Sequence, residues 1–565
     1  MDKWTEVLPV GDVLVRGAAL YPEREAVVFP TERRTYRELL EGAQHVLRGL
    51  WALGVRPGDH VGILMPNCAA FLEAYFATAL LGAVATPINA RYRRTELQYI
   101  IENADLVTVL TTDVIDEHVD FGEILHASLP SLSKQGAGSA ADRLELPEAP
   151  RLRNIALMHG GENKAGFIGR QAFNQLASSV DPAVVAELRH RVRLRDLATI
   201  VYTSGTTSNP KGCMLSHEAV VRTSIARAVE RFSRKGIERL WCPGPFFHMG
   251  ALAPMLGSLA LGDTFLTMMH FDPTEALAMI EREQVTRLWP LFHPIIQRLM
   301  DDPAFASTDL SRVTGFACSG SPETVRRMQR AFPGARVVGA YGMTETCAVI
   351  VVPVIEDKTD SALECGKPYR GIEIDIVDPA SGVECSPGEL GEIWVRGYCC
   401  MEGYYRDPQK TAETIDPDGW LHTGDLGLLT QDGSLVFRGR LRDVLKVGGE
   451  SVSAVEVESF LHTHPAIRHS EVVGMRDPRL EEVAVAFVEL YAGATLSEEE
   501  VIGFCRQEIA SYKVPRRVWF INLDEWPMSA TKVDKVALRQ RVIIETQQGE
   551  GIWRGYEQTV GPAPQ

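Results

Sequence analysis

The chain of 565 residues has no Cys-x-x-Cys pair. Its ten cysteines are scattered from Cys68 to Cys505, and only Cys399 and Cys400 are neighbours. That spacing supports neither a structural zinc site nor a disulfide framework, and it fits a reducing compartment. Long apolar runs are missing too. The most apolar stretch, Ala74 to Ile88, is short for a membrane span and is broken by Gly82, Thr86 and Pro87. The opening residues, MDKWTEVLPV, place Asp2 and Glu6 where a secretory leader needs an apolar core. A cytoplasmic protein with no membrane span is the expectation. Positive charge is in deficit: 58 Lys and Arg against 74 Asp and Glu leave a formal charge of −16. Such a chain repels phosphate backbones overall, so nucleic acid is an unfavourable partner, although a local cationic pocket is still allowed. Internal repeats are absent.

What is present is ordinary for a soluble globular protein, with 45% hydrophobic and 23% charged residues. The length exceeds what one simple core supports, so several domains are expected. HVGILM (60–65) reads as a strand, CAAFLEAYFATALLG (68–82) as a helix and AVATPIN (83–89) as a second strand. Glu96–Asn103 reads as helix and Leu106–Leu110 as strand. Such alternation predicts an α/β architecture with largely parallel sheet. Ser128–Ala149 is rich in Ser, Gly, Ala and Pro and reads as a loop or insertion. Between about 385 and 440 the texture changes to short strands with turns. A small α/β unit follows Val444, with a boundary expected at Arg440 to Asp443, and residues from about 546 read as a loose tail.

Directly after the strand-like LATIVY lies YTSGTTSNPKG (202–212). Thr203, Ser204, Thr206 and Thr207 supply hydroxyl donors, Gly205 and Gly212 allow close backbone approach, and Lys211 adds a positive charge. Clustered hydroxyls, amides and a lysine form a cradle for phosphate oxygens. A Walker A loop needs Gly-Lys-Ser/Thr, whereas here Pro210 precedes Lys211 and Gly212 follows it.

This segment resembles the signature loop of the adenylate-forming superfamily, which includes acyl- and aryl-CoA synthetases, peptide-synthetase adenylation domains and beetle luciferases. Further motifs occur in that family's order over nearly the whole chain, and acyl-CoA synthetases are the nearest group. The resemblance implies a large N-terminal α/β domain (1–440) with parallel sheets and a small β-barrel-like subdomain. It also implies a small mobile α+β C-terminal domain (441–545), with the tail at 546–565. In YGMTET (341–346) it gives Tyr341 and Gly342 to the adenine side, Thr344 to the α-phosphate and Glu345 to Mg²⁺. A hard cation with oxygen ligands suits that task. In ACSGSP (317–322), Ser321 is placed beside the nucleotide. Asp425 in DGWLHTGDLG and Arg440 in FRGRLRD are placed on the ribose side, where a carboxylate clamps two hydroxyls well.

In PFFHMGAL (245–252), His248 sits at the family's acyl-site position, with Gly250, Gly339 and Ala340 as further pocket residues. His248 offers no fixed negative charge to an ammonium, which disfavours an α-amino acid substrate. Arg442 occupies the hinge position, and Gly448 and Gly449 the loop past which a pantetheine arm would run. PMSATKVDK (527–535) resembles the C-terminal lysine motif but is one residue shorter and lacks its glycine. Lys532 is the expected catalytic lysine and Lys535 the second choice.

The implied activity is a carboxylic acid–CoA ligase that uses MgATP, a carboxylic acid and coenzyme A through an acyl-adenylate. Two alternatives stay open: loading of a carrier-protein thiol, and a catalytically inactive nucleotide-binding protein. Nothing in the residues argues for luciferase-like oxygen chemistry, and a homodimer is compatible with the family.

Overall fold

The computed structural model describes residues 7–115, 119–135, 143–160, 164–203, 209–230, 236–290, 293–317, 322–353, 365–448, 450–529 and 532–548. The chain divides into two compact units. The first comprises Met1–Gly320, Val325–Thr423 and Leu428–Val436. The second comprises Ser321–Thr324, Gly424–Gly427 and Phe437–Gln565.

Two seven-stranded sheets dominate the first unit. One runs in the order 403–404, 211–216, 197–203, 84–87, 60–64, 106–112, 154–159. Its pairs from 154–159 to 197–203 are parallel, and the last two are antiparallel. The other runs 336–338, 315–317, 287–288, 239–241, 264–266, 25–28, 33–35, parallel throughout except for its final pair. The α/β architecture with parallel sheets is therefore present.

The helix Ala69–Leu81 shows how the layers join. Its sequence is apolar all round, so every face must be covered. Phe71, Leu72, Tyr75 and Phe76 are all buried, and the helix packs on the amphipathic helix Tyr36–Ala52. Gly82 stops it in the left-handed conformation (φ 77°), the usual helix-ending device. One large core collects side chains of both sheets, among them Val27 and Phe265 from one and Ile63 and Val201 from the other. The short strands expected between about 385 and 440 are present as 391–397, 421–429 and 435–440.

The second unit has a five-stranded sheet built around the strand Glu481–Leu490, with 467–477 antiparallel and 517–520 parallel to it. Alternate residues of that strand feed opposite cores: Ala484, Ala486 and Val488 enter one, Val483, Val485 and Phe487 the other. Period-two geometry then explains its near-continuous apolar sequence, since both faces are covered. No helix among the described residues is long and apolar enough to cross a membrane.

Candidate active site

Strand register assembles one side of the site. Strand 211–216 pairs with 197–203 through Lys211↔Thr203 and with 403–404 through Cys213↔Tyr404. Residues opposite each other, and residues two apart, share a face of a sheet. Thr203, Lys211, Cys213 and Tyr404 therefore point to the same side. The Lys211 ammonium lies 5.6 Å from the centre of the Tyr404 ring, within cation–π range. Cys213 is buried beneath them. Burial, and after it the Glu345 charge, pushes its thiol well above the ordinary range, so it is an inert packing group. The signature loop thus connects two antiparallel strands, unlike a Walker A loop, which leads from strand to helix. Ser204, Gly205, Thr206 and Thr207 lie outside the described residues, as does Ser321.

Glu345 reaches the same place from a different segment. Strand Tyr341–Met343 runs antiparallel to Ala348–Val351, and the single 3₁₀ turn Thr344–Thr346 links them. Cys347 closes the turn with φ 60°. The Thr346 hydroxyl accepts from the Met343 N–H at 3.1 Å and donates to carbonyls on both sides of the turn. Glu345 is thereby turned inward, with 8% of its surface exposed. The Tyr404 hydroxyl donates to its Oε1 at 2.9 Å, and the Met401 N–H donates to its carbonyl oxygen at 2.8 Å. Burial first, then the neighbouring Glu345 charge, raises the Tyr404 phenol far above its ordinary value, so it acts here as a donor. Gly342 lies where any Cβ would strike the Ala348 carbonyl oxygen. Tyr341 is buried and Thr344 half-buried.

One inward carboxylate suits Mg²⁺, which binds through one or two carboxylates and substrate phosphates. No group of three metal-ligating side chains occurs among the described residues.

His248, expected at the acyl site, sits immediately before the helix Met249–Ala260, half-buried beside Phe247 with ring centres 4.8 Å apart. The segment before it is pinned by the buried Asn67. The Asn67 side chain donates to the Gly244 carbonyl (2.9 Å) and accepts from the Phe246 N–H (2.8 Å). The Gly250 carbonyl accepts a hydrogen bond from the Trp289 indole N–H at 3.0 Å. The buried Arg227 guanidinium lies 4.8 Å from the Trp289 ring centre and donates to the Pro254 carbonyl at 3.4 Å. Gly339 and Ala340, half-buried, follow the strand Arg336–Val338.

Asn67, Arg227, Trp289 and Tyr404 were not anticipated from sequence. The Gly403-Tyr404 pair forms a strand of two residues, too short to show a period, and Trp289 follows another two-residue strand.

The second unit holds the remaining expected residues. Arg440 Nε lies 3.2 Å from Oδ1 of the buried Asp425, so the two expected ribose-side residues do meet. Arg442 lies in the 3₁₀ turn Leu441–Asp443 between two strands. Burial first, and then the Arg440 charge, lowers its pKa. Gly448 turns with φ 59° between strands 444–447 and 450–453, and Gly449 lies outside the described residues. The backbone of Lys532 pairs with Ser529 in a short hairpin.

Lys535, the second choice for the catalytic lysine, sits in an ion cluster. Its ammonium is buried 2.5 Å from Glu458 Oε1 and 3.2 Å from Glu471 Oε2, and it also donates to the Val472 carbonyl. A lysine so enclosed is a structural ion, and the side chain of Lys532, the first choice, lies outside the described residues.

An α/β scaffold that brings Lys211, the Tyr404 ring and the inward Glu345 carboxylate together suits an enzyme that handles a nucleotide. The family described as AMP-binding enzyme matches residues 14–405, and its C-terminal domain matches residues 456–532. The chain belongs to this family and is an AMP-forming carboxylic acid–CoA ligase. The putative acyl-CoA synthetase YngI of Bacillus subtilis is 32% identical over 542 residues, 94% of this chain and 97% of the relative. The mitochondrial medium-chain acyl-CoA ligase ACSF2 of Mus musculus is 30% identical over 549 residues, 94% and 87% of the two chains. A solved anthranilate CoA ligase, AuaEII, in complex with anthranoyl-AMP, shares the fold. It has a TM-score of 0.82 and 23% identity, over 96% of this chain and 99% of that one.

Proposed function

We propose that the chain activates an apolar carboxylic acid of medium length as its acyl-adenylate and transfers the acyl group to coenzyme A. The observation that carries this reading is the convergence of Lys211, Tyr404 and Glu345 beside the signature loop. The apolar neighbours of His248, namely Phe246, Phe247 and Met249, support an apolar acid, and the name of the mouse relative supports medium length.

In the first step a carboxylate oxygen attacks the α-phosphorus of ATP. The bond to the bridging oxygen of the β-phosphate breaks, and pyrophosphate leaves. The obstacle is anion meeting polyanion: two unit charges about 4 Å apart interact by roughly 4 kcal/mol at an effective dielectric near 20. Lys211 offsets part of that repulsion, and the family resemblance assigns Lys532 to the same step. Each preorganised donor of this kind contributes about 3 kcal/mol, or roughly a hundredfold. Bound Mg²⁺ would screen the triphosphate charge. Glu345 would hold that ion and Thr344 would orient the α-phosphate. In the second step the thiolate attacks the acyl carbon, and AMP departs as a better leaving group than the free acid offers.

The test is pyrophosphate release across aliphatic, aryl and polycyclic acids, with mass detection of the CoA products. Carboxylate-dependent release and a CoA thioester are expected, with the highest kcat/KM for a medium aliphatic acid. ATP binding with no release for any acid would leave only a nucleotide-binding protein.

A further inference from the structure

Tyr404 lies between the two charged groups of the phosphate side and belongs to none of the motifs that mark them. Its backbone is fixed at both ends. The Tyr404 N–H donates to Thr411 Oγ1 at 2.9 Å, and the flanking Glu402 and Tyr405 N–H groups donate to the Met214 and Gly212 carbonyls. Its ring packs under Lys211, and its hydroxyl holds one oxygen of Glu345. The Thr414 hydroxyl also touches the phenol oxygen. Both Tyr404 and Glu345 are below a tenth exposed, so the bond forms in a poorly solvated setting, where a charge-assisted hydrogen bond is strong. Among the described residues Glu345 Oε2 has no protein partner. A carboxylate with one oxygen held and the other open is oriented before any ligand arrives.

We propose that Tyr404 is a positioning residue for nucleotide binding, fixing Glu345 by its Oε1 so that Oε2 faces the divalent cation that accompanies ATP. This rests on the ligase reading for the identity of the nucleotide, and it assigns to Tyr404 a role no motif carries. The phenylalanine variant separates the two parts of the side chain. Tyr404→Phe keeps the ring under Lys211 and removes only the hydroxyl. The loss of one hydrogen bond to a charged group corresponds to about a tenfold change or somewhat more.

The experiment is calorimetric titration of ATP into the full chain, without acid or coenzyme A, in saturating Mg²⁺, in limiting Mg²⁺ and in EDTA. Tyr404→Phe is expected to weaken ATP binding about tenfold at limiting Mg²⁺, to recover at saturating Mg²⁺ and to match the parent chain in EDTA. Glu345→Gln should remove most of the Mg²⁺ dependence, and adding Tyr404→Phe to it should have little further effect, as expected of two residues acting as a unit. Parent-like Mg²⁺ dependence in Tyr404→Phe overturns the proposal, and so does equal weakening in EDTA. If Tyr404→Phe fails to fold, Glu345→Gln still tests the carboxylate that Tyr404 would position: unchanged Mg²⁺ dependence would sink the proposal. Because no acid is present, failure of the ligase reading would show separately, as missing pyrophosphate release in the parent chain.

Discussion

The Lys535 ammonium and the Glu458 carboxylate lie 2.5 Å apart, and Glu471 takes the other side of the same lysine at 3.2 Å. These residues come from the helix Lys535–Gln548, the helix Ala454–Leu461 and the strand Ile467–Asp477, so one cation ties three elements of the C-terminal unit. Burial opposes the charge on Lys535, but the two carboxylates outweigh it and raise its pKa. Burial pushes Glu458 up to about 7, whereas the charges of Lys535 and His469 overcome burial and draw Glu471 down to about 2.

Glu458 sets a pH dependence whose sign can be worked out. Its folded pKa of about 7 exceeds the ordinary 4.5, so between those values the folded chain binds more protons than the unfolded chain. Stability therefore falls as pH rises through that window. Glu458→Gln, which cannot titrate, should show a flatter dependence there, measured by urea unfolding at pH 5 to 8. Lys535→Met strands two buried carboxylates and should cost about 3–5 kcal/mol.

Gly342→Ala is expected to damage the site through backbone alone. A Cβ at this position would collide with the Ala348 carbonyl oxygen and lie 2.6 Å from the Val349 Cα. Both neighbours are main chain on the paired strand, so no side chain can move aside. Overpacking of this kind costs about 1–3 kcal/mol. The displaced strand leads directly into Thr344 and Glu345, so ATP affinity should fall together with the melting temperature. Unchanged ATP affinity would show that the turn tolerates the shift.

How much of this was legible in the sequence depends on the range of the interactions. Lys211 announces itself because its motif is local, a run of hydroxyls and glycines, and Glu345 was reached through the resemblance of the contiguous YGMTET segment. The helix Ala69–Leu81 was legible for the same reason, since its apolar run and its closing Gly82 are contiguous. Tyr404 was not, because its role depends on the register Cys213↔Tyr404 between strands far apart in the chain. The choice between Lys532 and Lys535 was also beyond spacing. Burial against Glu458 and Glu471 separates them, and those partners come from elements remote in sequence.

Lys532→Ala should therefore behave differently from any Lys535 variant. On the role proposed for Lys532 in adenylation, its removal should reduce carboxylate-dependent pyrophosphate exchange about a hundredfold. Thioester formation from supplied acyl-adenylate should stay close to that of the parent chain. Lys535→Met, acting through stability, should depress both half-reactions together. Equal losses in both halves for Lys532→Ala would remove it from the adenylation step.

Trp289 is expected to set acid selectivity. Its indole N–H holds the Gly250 carbonyl at 3.0 Å, two residues beyond His248, and Arg227 lies 4.8 Å from the ring centre. A cation over a desolvated ring contributes about 2 kcal/mol, and it polarises the N–H toward its acceptor. Arg227 also bonds the Pro254 carbonyl, so the N-terminal half of the helix Met249–Ala260 is held at two points. Trp289→Phe removes the donor and some ring volume, leaving the half-buried Gly250 carbonyl short of a partner at a cost of about 1 kcal/mol. The helix start then relaxes and the space beside His248 grows. The kcat/KM optimum across a series of straight-chain acids should move to longer chains, KM for the original acid should rise several-fold, and KM for ATP should hold. Arg227→Met should move the optimum the same way by a smaller amount, because the ring and its donor stay. If the profile keeps its optimum and only loses height, the indole supports the helix without shaping the pocket.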